Sequence, residues 1–216
     1  MERLATVAAG LDADVLALQE VDRGLRRSGR ADLAGAVAAS AGMELAFGPA
    51  HRVGWRGRYG NALLARGPLA DVQLLRLPRV GRRERRAAVL ASVTLAGTTL
   101  TAAVTHLSIH PDEAGRQLAA VVEALGRRPP PRVLLGDLNL RAWDVSPRVR
   151  AAGLELAGGP PTFPAGAPRI RIDHVAHSPD LRVTSVEVPE TPVSDHRPLV
   201  VELTSSLLTG PSSPRA

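Results

Sequence analysis

VLLGDLNLRAWD, residues 133–144, opens as an apolar run of the kind that fills a buried strand. Where the run ends it places a carboxylate, Asp137, and an amide, Asn139. Two residues apart on a strand, the two face the same side. At the carboxyl end of a buried strand that side opens onto a crevice. A carboxylate and an amide there can grip a metal-bound phosphate or orient a water. Taken alone, Asp-x-Asn at a strand end is more often an Asx-turn or a helix cap.

The same placement recurs along the chain. Glu20 closes the strand-like VLALQE, His106 ends AVTHLS, and Asp173 opens IDHV. Asp195 and His196 stand just before RPLVVEL. Adjacent residues of a regular strand point to opposite faces. Asp195 and His196 can therefore reach one site only from a turn, and Pro198 marks the entry to the strand. Each residue alone has a structural explanation: a solvated acid, or a satisfied core histidine. Five strand ends that each offer an acid, an amide or an imidazole point instead to one shared site.

Composition narrows the chemistry. The chain has no cysteine, which excludes disulfides, zinc-thiolate sites and thiol catalysis. A metal would have to be held by carboxylates, amides or histidine, a donor set that favours Mg²⁺ or Mn²⁺. All 27 basic residues are arginine and the net charge is +6. GC-rich coding accounts for much of this, and arginine also presents a fork that matches phosphate oxygens. Five aromatic residues (2 Trp, 1 Tyr, 2 Phe) argue against a stacking platform for single-stranded nucleic acid. No apolar run approaches the roughly 20 residues that span a bilayer. MERLATVAAGLDADVLALQE lacks a signal-peptide layout, so the expectation is a cytoplasmic protein. It is expected to act as a monomer.

The rest of the chain reads as many strands and few helices. Helices are expected over 4–11, 31–42 and 111–126, the last with Pro111 at its first turn and acids beside it. Strands are expected at 14–21, ELAFG, GNALLAR (60–66), ADVQLLRLP (70–78), the two arms of a hairpin around Gly97, PPPRVLLGDLN (129–139), IDHVAHS, LRVTSVEV and RPLVVEL. Residues 14–21 read as a buried strand, and 23–30 and 51–58 as arginine-rich loops. There is no repeat and no second domain. Residues 1–204 form one domain, and 205–216 read as a disordered tail. Hairpins mixed with helical crossovers fit a two-sheet α/β sandwich better than a doubly wound parallel sheet.

ALQEVD, GNALLAR, VTHLS, GDLN, IDHV and SDHRPLVVEL, in this order and spacing, resemble the endonuclease/exonuclease/phosphatase superfamily with its deoxyribonuclease-I-like nucleases. The resemblance covers about residues 1–204. It implies an α+β fold, a four-layer α/β/β/α sandwich of two mostly antiparallel sheets with flanking helices. It also implies a divalent-metal-dependent phosphoesterase that cleaves phosphodiester bonds by in-line attack of water. On that likeness Glu20 and Asp195 hold Mg²⁺ or Mn²⁺. Asp137 orients or deprotonates the water, with Asn139 beside it. His196 contacts the scissile phosphate and Asp173 keeps that imidazole charged. His106 resembles a general acid for the leaving oxygen, paired with Glu84, and Asn61 lies on the floor near the substrate. Members of the superfamily normally begin with a strand carrying an asparagine, ahead of the helix that leads to LQE. This chain begins in that helix, and it is expected to be less stable and less active than a version extended upstream.

The arginine-rich loops at 23–30, 51–58 and 79–86 can rim such a site and bind a phosphodiester partner such as nucleic acid. The competing readings are a phosphomonoesterase or sphingomyelinase-like hydrolase, and an inactive arginine-rich protein that binds phosphate or nucleic acid.

Overall fold

The computed structural model describes residues 2–55 and 57–205. The strands are β1 (Val15–Arg23), β2 (Glu44–Val53), β3 (Gly57–Ala65), β4 (Leu69–Arg76), β5 (Ala87–Leu95), β6 (Thr98–His106), β7 (Arg132–Asp137), β8 (Glu155–Leu156), β9 (Asp173–His177), β10 (Leu181–Glu187) and β11 (Val200–Ser205). The helices are α1 (Glu2–Gly10), α2 (Leu33–Ala41), α3 (Pro111–Gly126) and α4 (Ala142–Ala151). One six-stranded sheet runs β4-β5-β6-β7-β9-β8, with β6 and β7 its parallel pair and α3 their crossover. Facing it are a three-stranded sheet, β1-β3-β2, and the β10-β11 ribbon.

The alternation of apolar side chains builds four layers. Leu63 and Ala65 of β3, Val89, Ala91 and Val93 of β5, Ala102 and Val104 of β6, and Val133 of β7 meet between the sheets. Their neighbours one residue away turn to the opposite faces, as a period of two requires. Ala62 and Leu64 pack under α1 and α2 with Ala5, Ala8, Ala34 and Val37. Ala88, Leu90, Ala103 and Leu134 pack under α3 and α4 with Leu118, Val121, Leu125, Val145 and Val149. The α/β/β/α sandwich expected from the sequence is the fold.

Two details differ from the sequence reading. The loop expected at 51–58 is mostly strand: His51–Tyr59, Arg52–Arg58 and Val53–Gly57 are cross-strand partners. The basic stretch 23–30 is partly tied down, because the Arg27 guanidinium donates to Asp22 at 2.8 Å and lies over the Tyr59 ring. The tail, apart from Ser205 at the end of β11, falls outside the described residues.

β1 is also less buried than its composition implies; Leu16 and Val21 are covered, while Val15, Ala17 and Leu18 are only half so. Among the described residues β1 pairs with β3 alone and β11 with β10 alone. Both border one cavity of about 1330 Å³, whose floor includes Leu95, Leu100, Val133 and Leu135 of the six-stranded sheet. Two unpaired strand edges above an apolar floor are the setting that takes up another strand. An alternating apolar strand of about eight residues, joined by a short loop ahead of Glu2, is expected to fill this slot. Melting temperature should rise by about 5 °C or more, and a strand of scrambled polarity should leave it unchanged.

Candidate active site

Three of the expected residues fall in one row. His106 on β6 is the register partner of Asp137 on β7, and Asp137 is the partner of Asp173 on β9. Side chains level across neighbouring strands share a face. The row therefore projects from the end of the sheet as imidazole, carboxylate, carboxylate. It needs Gly136: the residue sits at φ 148, and an added Cβ would lie 1.9 Å from the Thr105 carbonyl oxygen on the neighbouring strand.

Just past the row the chain turns sharply. Asn139 is left-handed, φ 49, and its N–H donates to Asp137 Oδ1 at 2.9 Å. This is the Asx-turn that the motif alone suggests, and the turn delivers the amide to the site. Asn139 Nδ2 donates to the Leu107 carbonyl at 3.0 Å and stands 3.0 Å from His106 Nε2.

His106 is buried between acid and base. Arg86 Nη1 lies 3.1 Å from its Nδ1. Guanidinium has no acceptor, so Nδ1 accepts from it, while Nε2 faces both the Asn139 amide nitrogen at 3.0 Å and Asp137 Oδ2 at 3.4 Å. Burial, then the charges of Arg86 and His196, push the His106 pKa down to about 3. The ring is neutral at ordinary pH. The expected partner Glu84 is not there: it lies ahead of β5, largely exposed, and pairs with the far side of Arg86 at 3.0 Å. Arg86, next to the start of β5, takes the inward position instead.

Glu20 arrives through a bulge. The register of β1 on β3 shifts between Leu18 and Val21, and Glu20 takes φ 58. A left-handed non-glycine residue inside a bulge re-aims a side chain at a local energetic cost. Glu20 Oε1 stands 3.6 Å from His106 Nδ1. Glu20 also raises the pKa of Tyr59, whose burial already pushes it up.

The opposite end of the row carries His196. Its Nδ1 lies 2.8 Å from Asp173 Oδ2, its Nε2 is 4.0 Å from Asp137 Oδ2, and its ring packs 4.7 Å from Phe163. Asp173 Oδ2 also accepts from the buried Thr162 hydroxyl at 2.5 Å. Partial burial opposes protonation of His196, but Asp173, then Asp137 and Asp195, outweigh it and hold its pKa above the usual value. Asp137 is raised to about 7, first by burial and then by the neighbouring Asp173 charge.

Donor atoms of Asp137, Asp173 and His196 lie within 4.8 Å of one another, close enough to share a metal ion. Oxygen and imidazole donors without sulfur fit a hard divalent cation. Glu20 and Asp195, expected as the ligands, are not part of this group, although both border the cavity that reaches Asp173 and His196. The Asp195 side chain is exposed on its turn. Asn61 is nine-tenths buried and more: its Nδ2 donates to the Ala87 carbonyl at 2.8 Å, clasping β3 to the start of β5 behind Arg86.

A family model of the endonuclease/exonuclease/phosphatase family matches residues 1–196. The chain belongs to that family. Solved structures agree on the fold. An endonuclease/exonuclease/phosphatase from Beutenbergia cavernae is 23% identical with a TM-score of 0.75, covering 94% of this chain and 65% of its own. The human Nocturnin catalytic domain with bound sulfate is 20% identical at TM-score 0.74, covering 94% of this chain and 87% of its own. A mannosyl-6-phosphatase from Bacteroides thetaiotaomicron is 17% identical at TM-score 0.71, covering 94% and 91%. No curated protein matches the chain.

Arg86, Thr162 and Phe163 escaped the sequence reading. Arg86 is one of five arginines in residues 79–86 and nothing local singles it out. Thr162 lies eleven residues before Asp173 in a Gly/Pro-rich segment, and a bridge between Phe163 and Ile170 folds it back.

Two predictions test the support of the site. Gly136→Ala should separate β6 from β7 and lower stability by about 3 kcal/mol or more, seen in chemical denaturation, with loss of activity. Glu113, buried at the start of α3, accepts from Val80 N at 3.0 Å and Ser108 Oγ at 3.1 Å, and pairs with Arg83. Burial opposes its ionisation, but these donors hold its pKa below the ordinary value. Its contribution is present above the unfolded glutamate pKa, about 4.3. It is lost as pH falls through the lower folded value, because the unfolded chain then binds the proton first. Glu113→Ala should cost about 2–4 kcal/mol at pH 7, and the gap to wild type should shrink in acid.

Proposed function

We propose that this protein is a divalent-metal-dependent phosphodiesterase. The observation that carries the reading is the row His106–Asp137–Asp173 closed by His196, four polar groups converging at the end of one sheet. Hydrolysis of a phosphodiester needs charge neutralised on the equatorial oxygens and a water held in line with the leaving group.

His196 Nδ1 is engaged by Asp173, which leaves Nε2 to donate to a phosphoryl oxygen. Asp173 keeps that ring oriented and protonated, Thr162 fixes Asp173, and Phe163 limits the tilt of the ring. A donor held where charge grows in the transition state binds that state more tightly than the substrate. Asp137 orients the attacking water and accepts its proton. The His106 ring packs against Asp137 from the other side of the row, with Nε2 3.4 Å from Asp137 Oδ2, and steadies the base. The carboxylates of Glu20, Asp173 and Asp195, which border one cavity, are the groups that would hold Mg²⁺ or Mn²⁺, which when bound would supply positive charge to the phosphoryl oxygens. Asn139 positions the water or the phosphate beside Asp137.

Hydrolysis of bis-p-nitrophenyl phosphate with Mg²⁺ or Mn²⁺ tests the reading. Turnover is expected, EDTA should abolish it, and His196→Ala should reduce kcat by about 10²–10⁴. Faster turnover of the monoester p-nitrophenyl phosphate would make the protein a phosphatase instead. A folded wild type inactive on both would overturn the proposal.

A further inference from the structure

A second cavity, about 240 Å³, opens beside the base of the β4–β5 hairpin and is lined by Ala50, Arg76, Leu77, Arg79, Arg85 and Arg86. Four of these six residues are arginines. Arg76, Arg79 and Arg85 are exposed, and their side chains make no hydrogen bond or ion pair among the described residues. Among the described residues the carboxylate paired with this cluster is that of Glu84, 3.0 Å from Arg86 Nη2 and 44% exposed. Arg86 is 7% exposed, and its Nε is buried without a partner among the described residues. Four guanidinium groups around one cavity repel one another, and an anion among them offsets that repulsion.

The walls are held in place before any ligand arrives. Leu77 N donates to the Arg86 carbonyl at 3.0 Å, and Gln117 Nε2 donates to the Pro78 carbonyl at 2.9 Å. Glu113 clips the segment between them through Val80 and Arg83. Arg86 joins this cavity to the row, since its Nη1 stands 3.1 Å from His106 Nδ1. A group bound here is therefore one guanidinium away from the reacting centre.

We infer that this arginine-lined cavity is a second phosphate subsite, which takes a phosphoryl group of the substrate other than the one cleaved. The inference rests on the phosphodiesterase reading for its purpose. The subsite itself rests on Arg76, Arg79, Arg85 and Arg86 lining one cavity, three of them without a hydrogen bond or ion pair among the described residues. Such a substrate carries at least two phosphates, either along a nucleic-acid backbone or on a small molecule with a terminal phosphate. The volume holds one phosphate with a few waters, at about 30 Å³ per water. Three of the four arginines are exposed, so binding should weaken steeply with salt.

Calorimetric titration in EDTA tests the subsite apart from turnover. One arm uses inorganic phosphate, the other a trithymidylate without terminal phosphate. The proteins are wild type, Arg79→Ala/Arg85→Ala and His196→Ala, each checked for an unchanged melting temperature. The subsite predicts that the double variant weakens binding by about tenfold or more and that His196→Ala leaves it near the wild-type value. Loss with phosphate alone identifies a terminal phosphate; loss with both identifies a backbone phosphate. No binding by wild type, or binding that depends on His196 and not on the arginines, overturns the inference. If bis-p-nitrophenyl phosphate is not hydrolysed while the arginine-dependent binding stands, the reaction assigned above has failed and the subsite has not.

Discussion

The register that sets His106, Asp137 and Asp173 level across β6, β7 and β9 is the constraint on which the rest of the site depends. It is a backbone property before it is a chemical one. A slip of one residue in β7 would turn Asp137 toward the helices and bring Gly136 into the row. Gly136 holds the register, because only a residue without Cβ can stand against the Thr105 carbonyl. The same ladder fixes the core, since Leu134 packs under the helices and Val133 between the sheets. Core packing and site geometry are thus specified by one alternation.

Placed so close, the polar groups set one another's charge. Asp137 and Asp173 are near neighbours out of water, and Asp137 is harder to ionise for it. His196 is easier to protonate because it faces both. His106, buried against Arg86, is harder to protonate. Two imidazoles on one row therefore carry opposite tendencies, set by the partner each ring meets. Environments that push like groups apart are how one site comes to hold both a proton acceptor and a charged donor.

Among the described residues the layer opposite is in two pieces. It is split between β1-β3-β2 and the β10-β11 ribbon, with an apolar-floored slot between the two edges. Glu20 comes from one side of that slot and His196 from the segment leading into the other. The six-stranded sheet supplies the rigid half of the site, and the relative position of β1 and β11 supplies the rest. The stability of that second layer therefore bears directly on the geometry of the first.

Much of this was legible from local pattern. Period-two alternation, the turn glycine Gly97 and the Pro111 helix start determined the strands, the β5–β6 hairpin and α3. Polar residues at the ends of apolar runs marked Glu20, His106, Asp137, Asn139, Asp173, Asp195 and His196 as a set, because a core tolerates such groups only at its rim. The tertiary structure alone decided what each one touches. Arg86 rather than Glu84 meets His106, Thr162 holds Asp173 from across a loop, and Asn61 is a clasp behind the site. It also decided that β1 pairs with β3 alone among the described residues. These are contacts between residues far apart in sequence, or a choice between neighbours of like pattern. A linear sequence carries periodicity and spacing, but not which of two nearby side chains turns inward when the sheets close.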